Sequence, residues 1–151
     1  LNINKILRLK NDLTNSDAII VEGINDKKQL SFFGIENVFD ISGYSLDKFI
    51  EKIKSHKITS VTILTDFDEE GEEKAEDLER MLQHNEIKIN SQNRHDFRNL
   101  FKVRHIEDIK PFTELITSPF MEESFDGKIS TIYNKIFNRS RVLSRRSGRK
   151  T

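Results

Sequence analysis

The chain contains no cysteine and no tryptophan, and only two of its 151 residues are proline. The lack of cysteine excludes disulfides, thiolate zinc sites and a cysteine nucleophile. Neither sign of charge is in excess, since 25 basic and 25 acidic residues give a formal net charge of zero. Any attraction to a polyanion such as nucleic acid must therefore come from local charge asymmetry.

Long apolar runs are also lacking. No run approaches the length of a membrane span, and the first residues, from Leu1 to Lys5, lack the apolar core of a signal peptide. We therefore expect no membrane association and a cytoplasmic location, with which the absence of cysteine agrees. The length fits a single domain.

Short apolar runs alternate with helical patterns over the first 90 residues. The runs predict strands at Ala18–Val21, 38–41, 61–64 and, more weakly, 87–89. Helices are predicted at 4–13 and 25–33, after an N-cap at Ser45, and at 71–83. This alternation predicts an α/β fold of Rossmann-like type, with a four-stranded, mainly parallel sheet in the order 2-1-3-4 and helices on both faces.

The second part of the chain is predicted to complete the same domain. We expect a short helix at 96–102, an edge strand at 103–106, a helix opened by Pro111 and a last helix at 129–137. The predicted domain spans residues 1–138, with core motifs in 17–90 and an elaboration in 91–138. Residues 139–151 are then a basic tail.

Three carboxylates follow predicted strands directly. Glu22 comes after the first strand, and Asp66 and Asp68 come after the third. If these strands are neighbours, the three side chains converge at the carboxyl edge of the sheet, where α/β folds bind ligands. Crowded carboxylates repel one another unless a cation neutralises them, and oxygen ligands suit Mg²⁺ or Mn²⁺. Asp26, one helical turn after Glu22, is either a ligand for a second ion or an ordinary first-turn residue.

Two glycines flank these acids. Gly23 allows a sharp turn after the first strand and the close approach of a ligand. Gly71 lies near the start of a helix, whose N–H groups favour an anion such as a phosphate.

Basic residues form two groups that have two interpretations each. The first group consists of Arg94, Arg98, Lys102 and Arg104. These residues either line the path of a phosphate backbone or balance nearby acids on a helix face. The second group lies in the tail, which either binds nucleic acid through its phosphates or is a disordered, solubilising end: it includes Arg139, Arg141, Arg145 and Arg146. His84, His95 and His105 show no metal-ligand spacing, and we interpret them as surface or structural residues.

The two acidic motifs together resemble the Toprim signature. They read Ile-Ile-Val-Glu22-Gly23-x-x-Asp26 and Ile-Leu-Thr-Asp66-x-Asp68-x-x-Gly71. The Toprim family includes topoisomerases, bacterial-type primases, overcoming-lysogenization-defect nucleases and 5S ribosomal RNA maturation nucleases. This chain is most similar to small stand-alone archaeal Toprim proteins and to the maturation nucleases. The resemblance implies that Glu22 is a general acid or base and that Asp66 and Asp68 hold Mg²⁺, with Asp26 as a further metal-binding position.

The resemblance also implies a class of activity. We expect Mg²⁺-dependent, or Mn²⁺-dependent, chemistry on the phosphodiesters of RNA or DNA, with a nuclease as the first hypothesis. One alternative is a non-catalytic nucleic-acid-binding module with a protein partner in an RNA-processing or replication assembly. Another is primase-like nucleotidyl transfer, which requires partner domains. The chain lacks a topoisomerase's tyrosine-bearing domain and a primase's cysteine zinc finger.

Overall fold

The computed structural model describes residues 2–116, and it divides the chain into two compact units at the boundary between Ile109 and Lys110. The first unit contains four strands: β1 (Ala18–Val21), β2 (Val38–Asp40), β3 (Ser60–Ile63) and β4 (Lys88–Ile89). Its helices are α1 (Ile3–Thr14), α2 (Ile24–Phe32), α3 (Leu46–Ser55), α4 (Glu69–His84) and α5 (Ser91–Phe101), followed by a 3₁₀ helix at Ile106–Ile109. The described part of the second unit is α6 (Lys110–Ile116).

The sheet has the predicted order, β2-β1-β3-β4, and every neighbouring pair of strands is parallel. β1 lies in the centre, where Ile19 is the register partner of both Val38 and Thr62. All four residues of β1 are buried, as expected of a strand covered on both faces. The central pairing of β1 with β3 is the feature that brings the two acidic motifs to one edge.

Helices cover both faces of the sheet, as predicted. One face packs against α3 and α4, whose buried stripes include Phe49, Ile53 and Leu78. The other face carries Thr62, whose hydroxyl accepts a hydrogen bond of 3.1 Å from the Asn93 side chain of α5. α1 packs against α5 on that side. Apolar stripes of α3 and α4 therefore cover one face of the sheet, and α5 covers the other.

Side-chain caps mark the starts of α3 and α5. Ser45 caps α3 through a bond from the Lys48 N–H, as predicted. Asn90 caps α5, which therefore begins at Ser91, five residues before the predicted start. A helix containing Pro111 is confirmed as α6.

The predicted edge strand at 103–106 is wrong. Backbone groups there bond singly to the loop after β3, since the Phe67 N–H donates to the Arg104 carbonyl at 2.7 Å and the Ile106 N–H donates to the Asp66 carboxylate. A strand ladder would require both groups of alternate residues to pair with one neighbour. The predicted helix at 129–137, the end of the domain at 138 and the tail at 139–151 lie outside the described residues and stay predictions.

No helix within residues 2–116 combines the length and the apolar character that crossing a membrane requires.

Candidate metal centre and nucleic-acid interface

The site lies where β1 and β3 end side by side. Glu22 follows β1, and one of its carboxylate oxygens, Oε2, accepts a hydrogen bond of 2.8 Å from the Asp66 N–H. The two motifs are separated by more than forty residues of sequence, and this bond joins them directly. The structure therefore brings Glu22 and Asp66 together, as the strand order requires.

Glu22 is held from two sides. Its second oxygen, Oε1, lies 2.9 Å from the Nζ atom of Lys74, which projects from α4. The Glu22 side chain is only 16% exposed. The hydrogen bond to Glu22 is also the main reason why the pKa of Lys74 is raised. The carboxylate therefore has a fixed orientation and a cationic partner.

Asp66 and Asp68 are placed by backbone N–H groups. Asp66 Oδ1 accepts from the Ile106 N–H at 2.8 Å, whereas Asp68 Oδ1 accepts from the Gly71 N–H at 2.8 Å and so caps α4. Burial raises the pKa of Asp66, more than its hydrogen bond to Ile106 lowers it. The pKa of Asp68 is lowered, chiefly by the hydrogen bond from Gly71 and further by His105.

His105 completes a cluster with these two aspartates. Its Nε2 atom lies 3.3 Å from Asp68 Oδ2, and its Nδ1 atom lies 3.4 Å from Asp108 Oδ2. Desolvation lowers the pKa of His105, but Asp66, Asp108 and Asp68 together outweigh it, so the pKa is raised.

The donor set fits a divalent cation. Within the described residues, one ligand atom each from Asp66, Asp68 and His105 lie within 4.8 Å of one another. Two ligands on opposite sides of one ion are separated by about 4–5 Å, because metal–oxygen distances are roughly 2.0–2.6 Å. These three residues would therefore hold the ion with little movement, and Glu22 lies beside them through its bond to Asp66.

Asp26, in the first turn of α2, is buried. Its Oδ2 atom accepts a hydrogen bond of 3.1 Å from the Gly23 N–H at the start of α2. Burial raises its pKa to about 6, and the charges of Asp66, Glu107 and Glu22 add to the effect. The hydrogen bond from Gly23 favours the interpretation of Asp26 as an ordinary first-turn residue. The charges of Asp66 and Glu22 nevertheless raise its pKa, so Asp26 also lies near the acidic site.

The two predicted glycines differ in what they require. A Cβ atom at Gly71 would lie 2.1 Å from the Asp66 carbonyl oxygen, so only glycine fits this contact. The Gly71 N–H is donated to Asp68, which is therefore the anion at this helix start. Gly23 has an extended φ of −140°, and a Cβ there would meet no atom closer than 3.9 Å. The chain bends at Glu22 and Gly23 between β1 and α2, as expected, although the φ of Gly23 does not itself require glycine. The open surroundings of Gly23 allow a ligand to approach.

Arg94 is engaged inside the protein. Its guanidinium donates to the carbonyl oxygens of Ile63 and Thr65 at 3.2 and 2.8 Å, and it forms an ion pair with Glu72. It also lies over the Phe67 ring, 4.5 Å from the centroid. These contacts favour the interpretation in which Arg94 balances an acid and holds the loop after β3.

The other three cations of this group border one open depression of about 500 Å³. Arg98, Lys102 and Arg104 line it together with Phe67, Asn99 and Val103. The pKa of Asp68, which is lowered chiefly by the Gly71 hydrogen bond, is lowered further by the charge of Arg104. Lys102 ends α5 with a left-handed φ of 54°, a conformation that favours glycine. Arg139, Arg141, Arg145 and Arg146 lie outside the described residues.

Sequence reasoning missed two residues of the site. Lys74 appears in the sequence as one lysine within an acidic run, and His105 appears as an isolated histidine. No spacing rule connects either residue to the motifs, because each joins the site through the tertiary fold. The available signal for Lys74 was its position on α4, one turn after Gly71.

Comparisons with known proteins agree with the geometry. The family model described as the Toprim domain matches residues 17–100. The solved structure of a protein from Aquifex aeolicus is similar at 31% sequence identity and a TM-score of 0.63, covering 72% of this chain and 98% of that one. The search of curated proteins gives no match.

Proposed function

Since the chain belongs to the Toprim domain family, we propose that it is a metal-dependent nuclease that cleaves phosphodiester bonds in RNA or DNA. The family and the acidic cluster together fit divalent-metal chemistry on nucleic acid. The observation that carries the nuclease proposal is the pairing of Glu22 with the loop that contains Asp66 and Asp68. A proton-transfer group and a cation-binding group thereby lie at the same edge of the sheet.

Glu22 is the proposed general acid or base. Its carboxylate is oriented by the Asp66 N–H and by Lys74, so it is fixed beside the loop that contains Asp66 and Asp68. It would exchange a proton with the attacking or leaving oxygen of the phosphodiester. Asp66 and Asp68 would hold Mg²⁺ or Mn²⁺, which when bound supplies positive charge to the phosphate oxygens. Asp26 is the proposed further metal-binding residue, as a ligand for a second ion.

The basic depression is the proposed seat of the nucleic-acid backbone. Arg98, Lys102 and Arg104 border it, and they are joined to the loop after β3 through the bond between the Phe67 N–H and the Arg104 carbonyl. Guanidinium and ammonium groups bind phosphate through charge-assisted hydrogen bonds. The tail arginines, from Arg139 to Arg146, would extend this contact. Arg94 would act by holding the loop.

A cleavage assay tests this proposal. End-labelled single- and double-stranded RNA and DNA are incubated with the full chain and Mg²⁺ or Mn²⁺, using wild type, Glu22→Gln, Asp68→Asn and the control Glu79→Gln on the exposed side of α4. We expect metal-dependent cleavage that falls by about 10²–10⁴-fold in Glu22→Gln. The control keeps wild-type activity.

The same gels identify the alternative. Wild-type protein that retards nucleic acid without cleaving it under either metal, and loses that affinity when the chain is shortened to Asn138, would be a binding module of a larger assembly. Equal cleavage by wild type and Glu22→Gln would instead remove Glu22 from the chemistry.

A further inference from the structure

We infer that His105 is a nitrogen ligand of the metal ion and that the site therefore prefers first-row transition-metal dications such as Mn²⁺ to Mg²⁺. This inference rests on the proposed metal site, and it names the ion class which that site selects. It follows from three properties of the His105 segment: how its backbone is fixed, which way the ring faces, and what kind of donor it adds.

The backbone on each side of His105 is hydrogen-bonded to the loop after β3, which contains Asp66 and Asp68 and is here called the metal loop. The residue before it, Arg104, accepts a hydrogen bond of 2.7 Å from the Phe67 N–H. The residue after it, Ile106, donates 2.8 Å to the Asp66 carboxylate. His105 is therefore held opposite Asp66 and Asp68 by two separate bonds, although its side chain is 44% exposed. The fold therefore places the backbone of His105 next to the loop that contains both carboxylates.

The ring is oriented by a second acid. Asp108 lies 3.4 Å from Nδ1, and its own N–H donates to the His105 carbonyl at 3.0 Å. This leaves Nε2 facing Asp68 at 3.3 Å. Metal-bound histidines commonly direct their second ring nitrogen at a carboxylate, which fixes the ring and strengthens the donor. The Asp108–His105–Asp68 series has this arrangement.

A nitrogen donor changes which ion is preferred. Mg²⁺ takes oxygen ligands almost exclusively, whereas imidazole binds transition-metal dications well. Two carboxylates alone would serve Mg²⁺ and Mn²⁺ alike. Adding His105 to Asp66 and Asp68 therefore gives the transition ion an advantage that the carboxylates do not provide.

Pulsed electron paramagnetic resonance with Mn²⁺ as the probe tests the ligand directly, independent of any activity. Wild-type protein, His105→Ala, His105→Asn and the control His84→Ala are loaded with Mn²⁺, and coupling to a directly bound nitrogen is measured. His84 ends α4, which has 16 residues, and so lies about 24 Å from Asp68 at the other end of the helix. Thermal melts establish that each variant is folded.

Calorimetric titrations with Mn²⁺ and with Mg²⁺ measure the preference of the same four proteins. We expect nitrogen coupling in wild type and His84→Ala and its loss in both His105 variants. The ratio of Mn²⁺ to Mg²⁺ affinity should fall by about tenfold or more in those variants. Asp108→Asn should lower Mn²⁺ affinity while retaining the nitrogen coupling.

The negative outcomes are distinct. Mn²⁺ that binds without nitrogen coupling, or with coupling that survives in His105→Ala, overturns the inference and leaves the carboxylate site of the proposed function intact. Absence of Mn²⁺ and Mg²⁺ binding overturns both.

Discussion

Asp26 and Asp68 each accept a hydrogen bond from a glycine N–H at the start of a helix, α2 and α4 respectively. Each bond is one half of a capping box: Asp26 reaches back from the first turn, whereas Asp68 reaches forward from the cap. Their pKa values nevertheless move in opposite directions. Burial raises that of Asp26 to about 6, and the Gly71 hydrogen bond lowers that of Asp68.

The difference lies in the tertiary surroundings of the two loops. Asp26 is 7% exposed and faces other acids, whereas Asp68 is 28% exposed in its side chain and faces His105. The same hydrogen bond from a glycine N–H can therefore accompany a carboxyl group whose pKa is raised or one whose pKa is lowered. At Asp68 the Gly71 hydrogen bond and His105 favour the charged carboxylate, whereas at Asp26 burial and neighbouring acids oppose it, and a cation would relieve that repulsion.

The largest effect expected from this comparison is a difference in stability between alanine substitutions at Gly71 and at Gly23. Gly71→Ala places a methyl group 2.1 Å from the Asp66 carbonyl oxygen, so we expect a loss of about 3 kcal/mol in unfolding free energy. Gly23→Ala meets no close atom and should change stability by less than about 0.5 kcal/mol. Urea unfolding of both variants measures the contrast. Equal losses would show that the two loops are equally constrained.

The second effect is a pH-dependent increase in the free energy of unfolding when Asp26 is replaced, in Asp26→Asn. The folded-state pKa of Asp26, about 6, exceeds its unfolded value of 3.8, so ionised Asp26 costs stability as the pH rises through 6. Asparagine can still accept from the Gly23 N–H and carries no charge. We expect the variant to be more stable than wild type by about 1–3 kcal/mol at pH 8 without metal, and no more stable near pH 4.

Melting curves in a chelator between pH 4 and pH 8 check this prediction, with Asp47→Asn in the exposed first turn of α3 as the control. A gain from Asp26→Asn that does not vary with pH would show that the carboxylate is not under strain.

The smallest effect concerns Lys74. Its ion pair with Glu22 is 43% exposed on the lysine side, so Lys74→Met should change stability by less than about 1 kcal/mol. Removing this charge leaves Glu22 and Asp66 less neutralised, and the affinity for Mn²⁺ should rise a few-fold. Arg80→Met, which removes an equal charge near Asp77, should not alter it. Weaker Mn²⁺ binding in Lys74→Met would mean that the lysine organises the site instead of competing for it.

Much of the fold was predictable because its signals are local. The run Ala18–Val21 is apolar, three of its four residues are β-branched, and β1 has these bounds. Ser45 announces α3. The start of α5 was missed because its first turn, Ser91-Gln92-Asn93, is polar, so no apolar periodic residue directly follows the cap at Asn90. The segment at 103–106 was wrong because its backbone partners belong to a loop and not to a strand.

The residues of the site likewise fall into those that sequence patterns predict and those that only the tertiary fold brings in. The positions of Glu22, Asp66 and Asp68 followed from strand ends and strand order, which sequence patterns predict. His105 and Lys74 enter through packing between distant segments, and no periodicity marks them. The burial that raises the pKa of Asp26 is likewise a property of the assembled fold.

The central position of β1 beside β3 has a consequence for the speed of folding. Glu22 and Asp66 lie 44 residues apart in sequence, and their bond forms only after that loop has closed. Closing a long loop costs entropy before any contact repays it, so parallel pairings of this kind are slow to form. The closing step also drives carboxylates together, which makes it sensitive to counter-ions. Salt should therefore accelerate refolding of this chain, with the steepest dependence at low ionic strength.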